Sequence, residues 1–330
     1  MAAAGGAQDP DDAVGPRPPS LRLRLLNLWL RRAVRPLADR PVDPALARRM
    51  MERAARTGGL RVPEARAEPW GDPAPGPGGL RLTAGPVEDG AAILHFHGGA
   101  YVAGSPRTHA AMLARLSRLA RLPVVAPRYR LAPEHPFPAA LEDACAAWDR
   151  LRRDYPAGRI ALGGDSAGGG LALLLAARLL ARGEAPGTVY ALSPWTDLAG
   201  SGASIRENAG RDALLSARRL PEVAALVLGP GGDPVAASPL HSRFGGLRCL
   251  HLQVGETEIL LDDSLRLARR LGAEGVAVDL HLHPHAPHVV HLFDGWVPEA
   301  RQGLRLLARA IRRDLGLCEV SPAPPRSAGS

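Results

Sequence analysis

The chain has 330 residues, long enough for one large domain or two modest ones with a buried core, which excludes a peptide-sized or disulfide-stapled fold. Hydrophobic residues at 46% and charged residues at 22% argue against wholesale disorder and against a bundle of membrane spans, while 4% aromatics, 37 glycines and 32 prolines describe an Ala/Leu core joined by many turns. The formal charge of +8 comes from 41 basic residues, all arginine, against 33 acidic ones. The arginines alternate with Leu and Ala as on solvated helix faces, so no nucleic-acid partner is expected.

In chain order, residues 1–20 are rich in Ala, Gly, Pro and Asp and are expected to be loose. Asp9, Asp11 and Asp12 stand where an export signal would carry a basic patch and then an apolar run. Leu21 to Arg35 places Leu23, Leu26, Leu30 and Val34 at helical spacing, and Pro44 to Thr57 reads as a second helix stopped by Gly58 and Gly59; residues 21–60 are thus expected to form N-terminal cap helices. Such a basic amphipathic start could lie on a membrane, but packing over the body of the protein is the preferred reading and membrane contact is not expected.

Residues 61–320 then read as one α/β domain. Weak extended runs at 64–69 and 80–84 precede short apolar runs near 91–97, 123–128, 159–164, 188–193, 248–254 and 276–283. Helical patterns at 107–121, 138–153, 167–182, 262–272 and 299–315 alternate with them, the signature of βαβ units and a parallel sheet. Leu171 to Ala177 is too short to span a bilayer and is expected to be a core helix. The rhythm breaks at about 200–240, which holds a helix-like Ala213 to Leu228 and reads as a lid insertion; residues 321–330 read as a loose tail. Cys145, Cys249 and Cys318 are odd in number and lack metal-site spacing, so neither disulfides nor a structural metal is expected, and a reducing, cytoplasmic location is.

Two motifs carry chemistry. Gly164-Asp165-Ser166-Ala167-Gly168 follows a strand-like run and opens a helix-like one, the strand–turn–helix setting of a nucleophile elbow, in which Ser166 would be lifted clear of the sheet. His95-Phe96-His97-Gly98-Gly99-Ala100-Tyr101 closes the first parallel strand. Exposed N–H groups of Gly98 and Gly99 could join that of Ala167 in stabilising a developing oxyanion, each donor worth roughly 10²- to 10³-fold in rate. His97 is expected to brace the glycine loop, and Asp165 to anchor the elbow. Arg128, Arg130 and Glu134 are read as a buried ion-pair network behind the site.

These motifs, with Tyr129 to Pro136 and Ser193-Pro194-Trp195, resemble the hormone-sensitive-lipase-like branch of the α/β-hydrolases over about residues 60 to 315. The resemblance implies an α/β-hydrolase fold, a mostly parallel eight-stranded sheet with helices on both faces and a helical cap. It also implies esterase chemistry by a Ser, acid and His triad that needs no cofactor or metal, on a small-molecule ester. Ala100 stands where many members carry a third glycine. The family's acid falls three residues after the glycine of Gly255-Glu256-Thr257-Glu258, hence Glu258, with Glu256 and Asp262 behind it; most relatives have Asp there. Of His281, His283, His285, His288 and His291, the Pro287-His288-Val289 segment resembles the family's His loop, so His288 is the base; the alternating histidines before it are read as polar strand residues rather than metal ligands. The order Ser166, Glu258, His288 is that of α/β-hydrolases. A serine carboxylesterase acting on short to medium acyl esters is expected, with lactones and amides open as substrates and a non-catalytic ligand-binding scaffold as the distant alternative. Relatives often pair through the last strand or helix, so a homodimer is compatible with the sequence.

Overall fold

The computed structural model describes residues 18–58, 62–71 and 78–317. The expected loose tail at 321–330 and most of the expected loose N-terminus lie outside them; Ser20, at the end of that N-terminal stretch, caps the first helix through its Oγ, which accepts from Leu23 N–H at 3.1 Å.

The apolar runs become eight strands: β1 (Ala65–Trp70), β2 (Gly79–Ala84), β3 (Ala92–Phe96), β4 (Val124–Pro127), β5 (Ile160–Asp165), β6 (Thr188–Leu192), β7 (Cys249–Gly255) and β8 (Ala277–His283). They form one sheet in the order β1-β2-β4-β3-β5-β6-β7-β8, in which β2 runs antiparallel to β1 and β4 and all other pairs are parallel. Strands β3 to β6 are buried along their whole length, as continuous apolar runs must be when helices cover both faces of a sheet. The expected α/β-hydrolase architecture is thus present.

Ten α-helices are present among the described residues. Those over the sheet are α4 (Ala110–Ala120), α5 (Ala139–Leu151), α6 (Ala167–Ala181), α9 (Leu261–Ala273) and α10 (Pro298–Asp314). Alternation along the strands feeds two cores. Leu94, Phe96, Leu162 and Val189 pack with Trp148 of α5 and Leu171, Leu175 and Leu179 of α6 on one face. Ile93, Val124, Ala161 and Tyr190 pack with Leu113 and Leu116 of α4 and Leu304, Leu307 and Ile311 of α10 on the other. Helix α6 is buried nearly throughout, as its unbroken apolar run requires.

The N-terminal segment forms α1 (Leu21–Trp29), a π-helical turn (Leu30–Val34), α2 (Arg35–Ala38) and α3 (Pro44–Gly58). Pro36 has no N–H to give the carbonyl four residues back, and the π turn absorbs that loss. Leu23, Leu26 and Leu30 are buried among Ala286, Val290, Val297 and Ala300, so α1 lies over the body of the protein. No helix among the described residues is long and apolar enough to cross a membrane.

Between β6 and β7 lie α7 (Ser204–Glu207) and α8 (Leu220–Leu228). The helix expected from Ala213 begins only at Leu220. Asp212 Oδ1 accepts the N–H groups of Leu214 and Leu215, both at 2.8 Å, and offers the backbone a turn in place of a helix. Pro221 then sits where a helix starts most readily.

Candidate active site

The turn from β5 into α6 carries Ser166 with φ 54° and ψ −123°, a conformation that a side-chain-bearing residue adopts only when its surroundings enforce it. Enforcement comes from both glycines of the motif. A Cβ at Gly168 would fall on the carbonyl oxygens of Phe96 and His97, and one at Gly164 on those of Gly168 and Phe96, so the elbow closes against β3 only without side chains. Ser166 N–H donates to Leu192 O at 2.8 Å, and its carbonyl accepts from Gly170 at 3.0 Å and Trp195 at 3.0 Å. The turn is thereby fastened to β6.

Three distant segments meet above this turn. His288 Nε2 lies 2.8 Å from Ser166 Oγ, and His288 Nδ1 lies 2.6 Å from Glu258 Oε2. Glu258 Oε1 also accepts Ser193 O–H at 2.7 Å and Gly255 N–H at 2.5 Å. Ser193 Oγ in turn accepts Val289 N–H at 3.1 Å, so one hydroxyl holds the acid and the histidine loop together. Glu258 is 1% exposed and His288 4%. Burial works to lower the His288 pKa, but the Glu258 carboxylate outweighs it and the imidazole titrates above its ordinary range. Such an imidazole, oriented by a carboxylate on one nitrogen and facing a hydroxyl with the other, can take the hydroxyl proton as the oxygen attacks a carbonyl.

The other candidate acids meet no histidine side chain among the described residues. Glu256 is half-buried, and Asp262 Oδ2 accepts Ser204 N–H at 3.0 Å. The remaining histidines are also engaged elsewhere: His283 and His291 share Gln253 Oε1 at 2.8 and 2.7 Å, His281 stacks edge-on against His283, and His285 is exposed.

The glycine loop departs from expectation at one donor. Gly98 N–H donates to Asp165 Oδ2 at 3.1 Å, inside the protein, and is not free to meet an oxyanion. Gly99, at φ 122°, and Ala167 have N–H groups with no acceptor among the described residues, as does Ala100, whose φ of 56° is the left-handed value that a glycine would take without strain. The correction follows from Asp165. Its carboxylate is fully buried and needs every donor within reach: Gly98 N–H, His95 Nε2 at 3.0 Å and His109 Nε2 at 3.1 Å. Burial would raise the Asp165 pKa, but His109 and His95 hold it below the ordinary carboxylate range. His97 Nδ1 hydrogen-bonds the Gly98 carbonyl at 2.8 Å and its ring stacks on Tyr129 with centroids 4.3 Å apart; burial pushes it down to about 3, so it is a neutral brace.

Arg128, Arg130 and Glu134 do not form the buried network that their sequence suggests. All three are exposed, Arg130 pairs with Glu142 and Asp143, and Glu134 pairs with Arg48 of α3. Burying three charges would cost more than their mutual attraction returns, whereas at the surface each takes the partner its loop presents. Sequence reading missed four contributors: Ser193, His109, Asn208 and Asp212. Asn208 Nδ2 donates to the carbonyls of Glu256 and Glu258 at 3.1 and 2.8 Å, and Asp212 Oδ2 accepts Ile259 N–H at 2.9 Å, so the insertion between β6 and β7 clamps the loop that carries Glu258. No motif marks these residues; only Ser193, in the Ser-Pro-Trp run after β6, stood in a segment that already drew attention.

Residues 93–292 match a family model described as alpha/beta hydrolase fold. The chain is 38% identical over 233 residues to an acetyl-hydrolase of Streptomyces hygroscopicus, covering 69% of this chain and 78% of that protein. It is 36% identical over 221 residues to an esterase of Acinetobacter venetianus, covering 66% of this chain and 73% of that one. The crystal structure of an esterase from the bacterial hormone-sensitive lipase family superposes with a TM-score of 0.83 at 36% identity, covering 91% of this chain and 100% of the other.

Proposed function

The chain belongs to the α/β-hydrolase family, in its hormone-sensitive-lipase-like branch, and is an ester hydrolase; from that premise we propose that it cleaves carboxylic esters through Ser166, His288 and Glu258. The observation that carries the reading is His288, whose two ring nitrogens lie 2.8 Å from Ser166 Oγ and 2.6 Å from Glu258 Oε2.

In this reading Ser166 Oγ attacks the acyl carbon as His288 Nε2 takes its proton, and Glu258 offsets the charge that the imidazole acquires. The carbonyl oxygen becomes an oxyanion, met by the N–H groups of Gly99, Ala100 and Ala167. As the tetrahedral intermediate collapses, the proton on His288 passes to the departing alkoxide and the acyl group stays on Ser166 as an ester. Water, deprotonated by His288, then releases the acid and restores the serine. The N-terminal helices and the insertion at 200–240 act as the cap. Short acyl chains are the favoured substrates, because the Streptomyces relative is named for acetyl hydrolysis. Replacement Ser166→Ala tests the proposal: turnover of p-nitrophenyl butyrate should vanish with the circular dichroism spectrum unchanged, and undiminished turnover would refute it.

A further inference from the structure

Strand β7 ends beside the Glu258 loop and begins at Cys249, so its first residues lie at the end of the sheet remote from Ser166. The two-residue period of a strand puts the side chains of Cys249 and His251 on one face, and the last turn of α10 brings Asp314 to them. Cys249 Sγ donates to Asp314 Oδ2 at 3.2 Å, and His251 Nε2 lies 2.6 Å from the same oxygen. One ligand atom from each of the three residues falls within 4.8 Å of the others.

The surrounding partners are those a metal centre needs. A metal-bound imidazole donates its second N–H to a carboxylate or carbonyl, and a metal-bound carboxylate is itself hydrogen-bonded. Here His251 Nδ1 lies 3.1 Å from Asp279 Oδ2 on β8, and Thr188 Oγ1 on β6 donates to Asp314 Oδ2 at 2.8 Å. Arg313 Nε holds Asp314 Oδ1 at 3.0 Å, which leaves Oδ2 as the oxygen that faces the cysteine and histidine. A cleft of about 240 Å³, lined by His251, Asp279 and Arg313 among others, opens on His251, and Cys249 and Asp314 are half-buried.

We infer that Cys249, His251 and Asp314 bind a zinc ion, with water in the fourth position and Asp279 orienting the histidine. Thiolate, imidazole and carboxylate together suit a borderline-soft cation with tetrahedral preference, while magnesium and calcium take oxygen ligands only. On binding, the thiol proton of Cys249 and the proton shared by His251 Nε2 and Asp314 pass to solvent, and the ion takes their place. Bonds of about 2.0–2.3 Å in a tetrahedron require Nε2 and Oδ2 to part from 2.6 Å to roughly 3.3 Å, a separation of about 0.7 Å shared between the His251 ring and the last turn of α10. The ion ties β7 to α10, with Thr188 of β6 and Asp279 of β8 hydrogen-bonded to its ligands, and takes no part in chemistry at Ser166. Metal-ligand spacing is absent from the sequence because Asp314 lies 63 residues beyond His251.

The test uses the full chain, stripped with chelator and titrated with zinc, and separately with cobalt(II). One zinc per chain should bind and raise Tm with zinc concentration. Cobalt should show thiolate-to-metal charge-transfer absorption. Cys249→Ala should abolish that band and the zinc-dependent rise in Tm, and Asp279→Asn should weaken zinc by about 10- to 100-fold. His281→Ala, outside the set, should bind as the parent does, and ester turnover should change less than about twofold between apo and zinc forms. Failure to bind zinc, a cobalt spectrum without the thiolate band, or binding undiminished in Cys249→Ala would each overturn the assignment.

Discussion

Replacing Glu258 by Gln separates orientation of the histidine from packing, because the two side chains have nearly the same shape. Glu258 serves two parties: Oε2 accepts from His288 Nδ1–H at 2.6 Å, while Oε1 accepts Ser193 O–H at 2.7 Å and Gly255 N–H at 2.5 Å. A carboxamide has one acceptor oxygen and one donor NH2. If its oxygen keeps Ser193 and Gly255, the NH2 faces His288 Nδ1, which must then give up its proton; the proton moves to Nε2, and the ring can no longer accept from Ser166. The opposite orientation leaves the buried Gly255 N–H facing a donor, at a cost of about 1–3 kcal/mol, so the inactive tautomer is favoured. The equivalent change in a Ser-His-Asp protease lowers kcat about 10⁴-fold. A loss of about 10³- to 10⁴-fold in kcat/KM is therefore expected here, or roughly 4–5.5 kcal/mol of transition-state stabilisation. The assay is hydrolysis of p-nitrophenyl butyrate with thermal unfolding as the control for structure. Glu256→Gln, at a half-buried position outside the network, is the internal comparison and should change turnover less than about twofold. Glu258→Gln within tenfold of the parent, or a larger loss from Glu256→Gln, would refute the reasoning.

Further outcomes follow from the same geometry. Because Glu258 raises the His288 pKa against the effect of burial, and the base works only when neutral, kcat/KM should climb with pH through an apparent value above the ordinary 6.5; a profile already flat at pH 6 would contradict this. Gly168→Ala should lose activity and destabilise by at least about 1–3 kcal/mol, since its Cβ would meet two backbone carbonyls, whereas Gly272→Ala, open on every side within α9, should gain roughly 0.5–1 kcal/mol in urea unfolding. Asn208→Ala should cost about 1–3 kcal/mol of stability and lower kcat more than it raises KM, because it frees the Glu258 loop and not the substrate; steady-state kinetics distinguish the two.

The central sheet was legible because β3 to β6 are short apolar runs bounded by turns, as burial on both faces requires, and their length separates them from the longer apolar run of α6. The elbow was legible because steric exclusion writes itself as glycine: Gly164 and Gly168 are where β5 and α6 touch β3. Less was visible where a side chain's partner comes from far along the chain. Gly98 reads as a free donor in its motif, but Asp165, 67 residues on, takes its N–H. Likewise, the Arg130 and Glu134 side chains are neighbours in sequence yet turn to Asp143 and Arg48. The helix expected from Ala213 failed through local competition, the Asp212 carboxylate capturing two backbone N–H groups that the periodicity of apolar residues could not reveal.

Reaction with a fluorophosphonate followed by peptide mapping asks most directly whether one serine is activated by the histidine beside it. The account predicts a single stoichiometric adduct on Ser166, loss of ester hydrolysis in step with labelling, and strongly slowed labelling in His288→Ala. An adduct on another serine, or full labelling with hydrolysis intact, would contradict it.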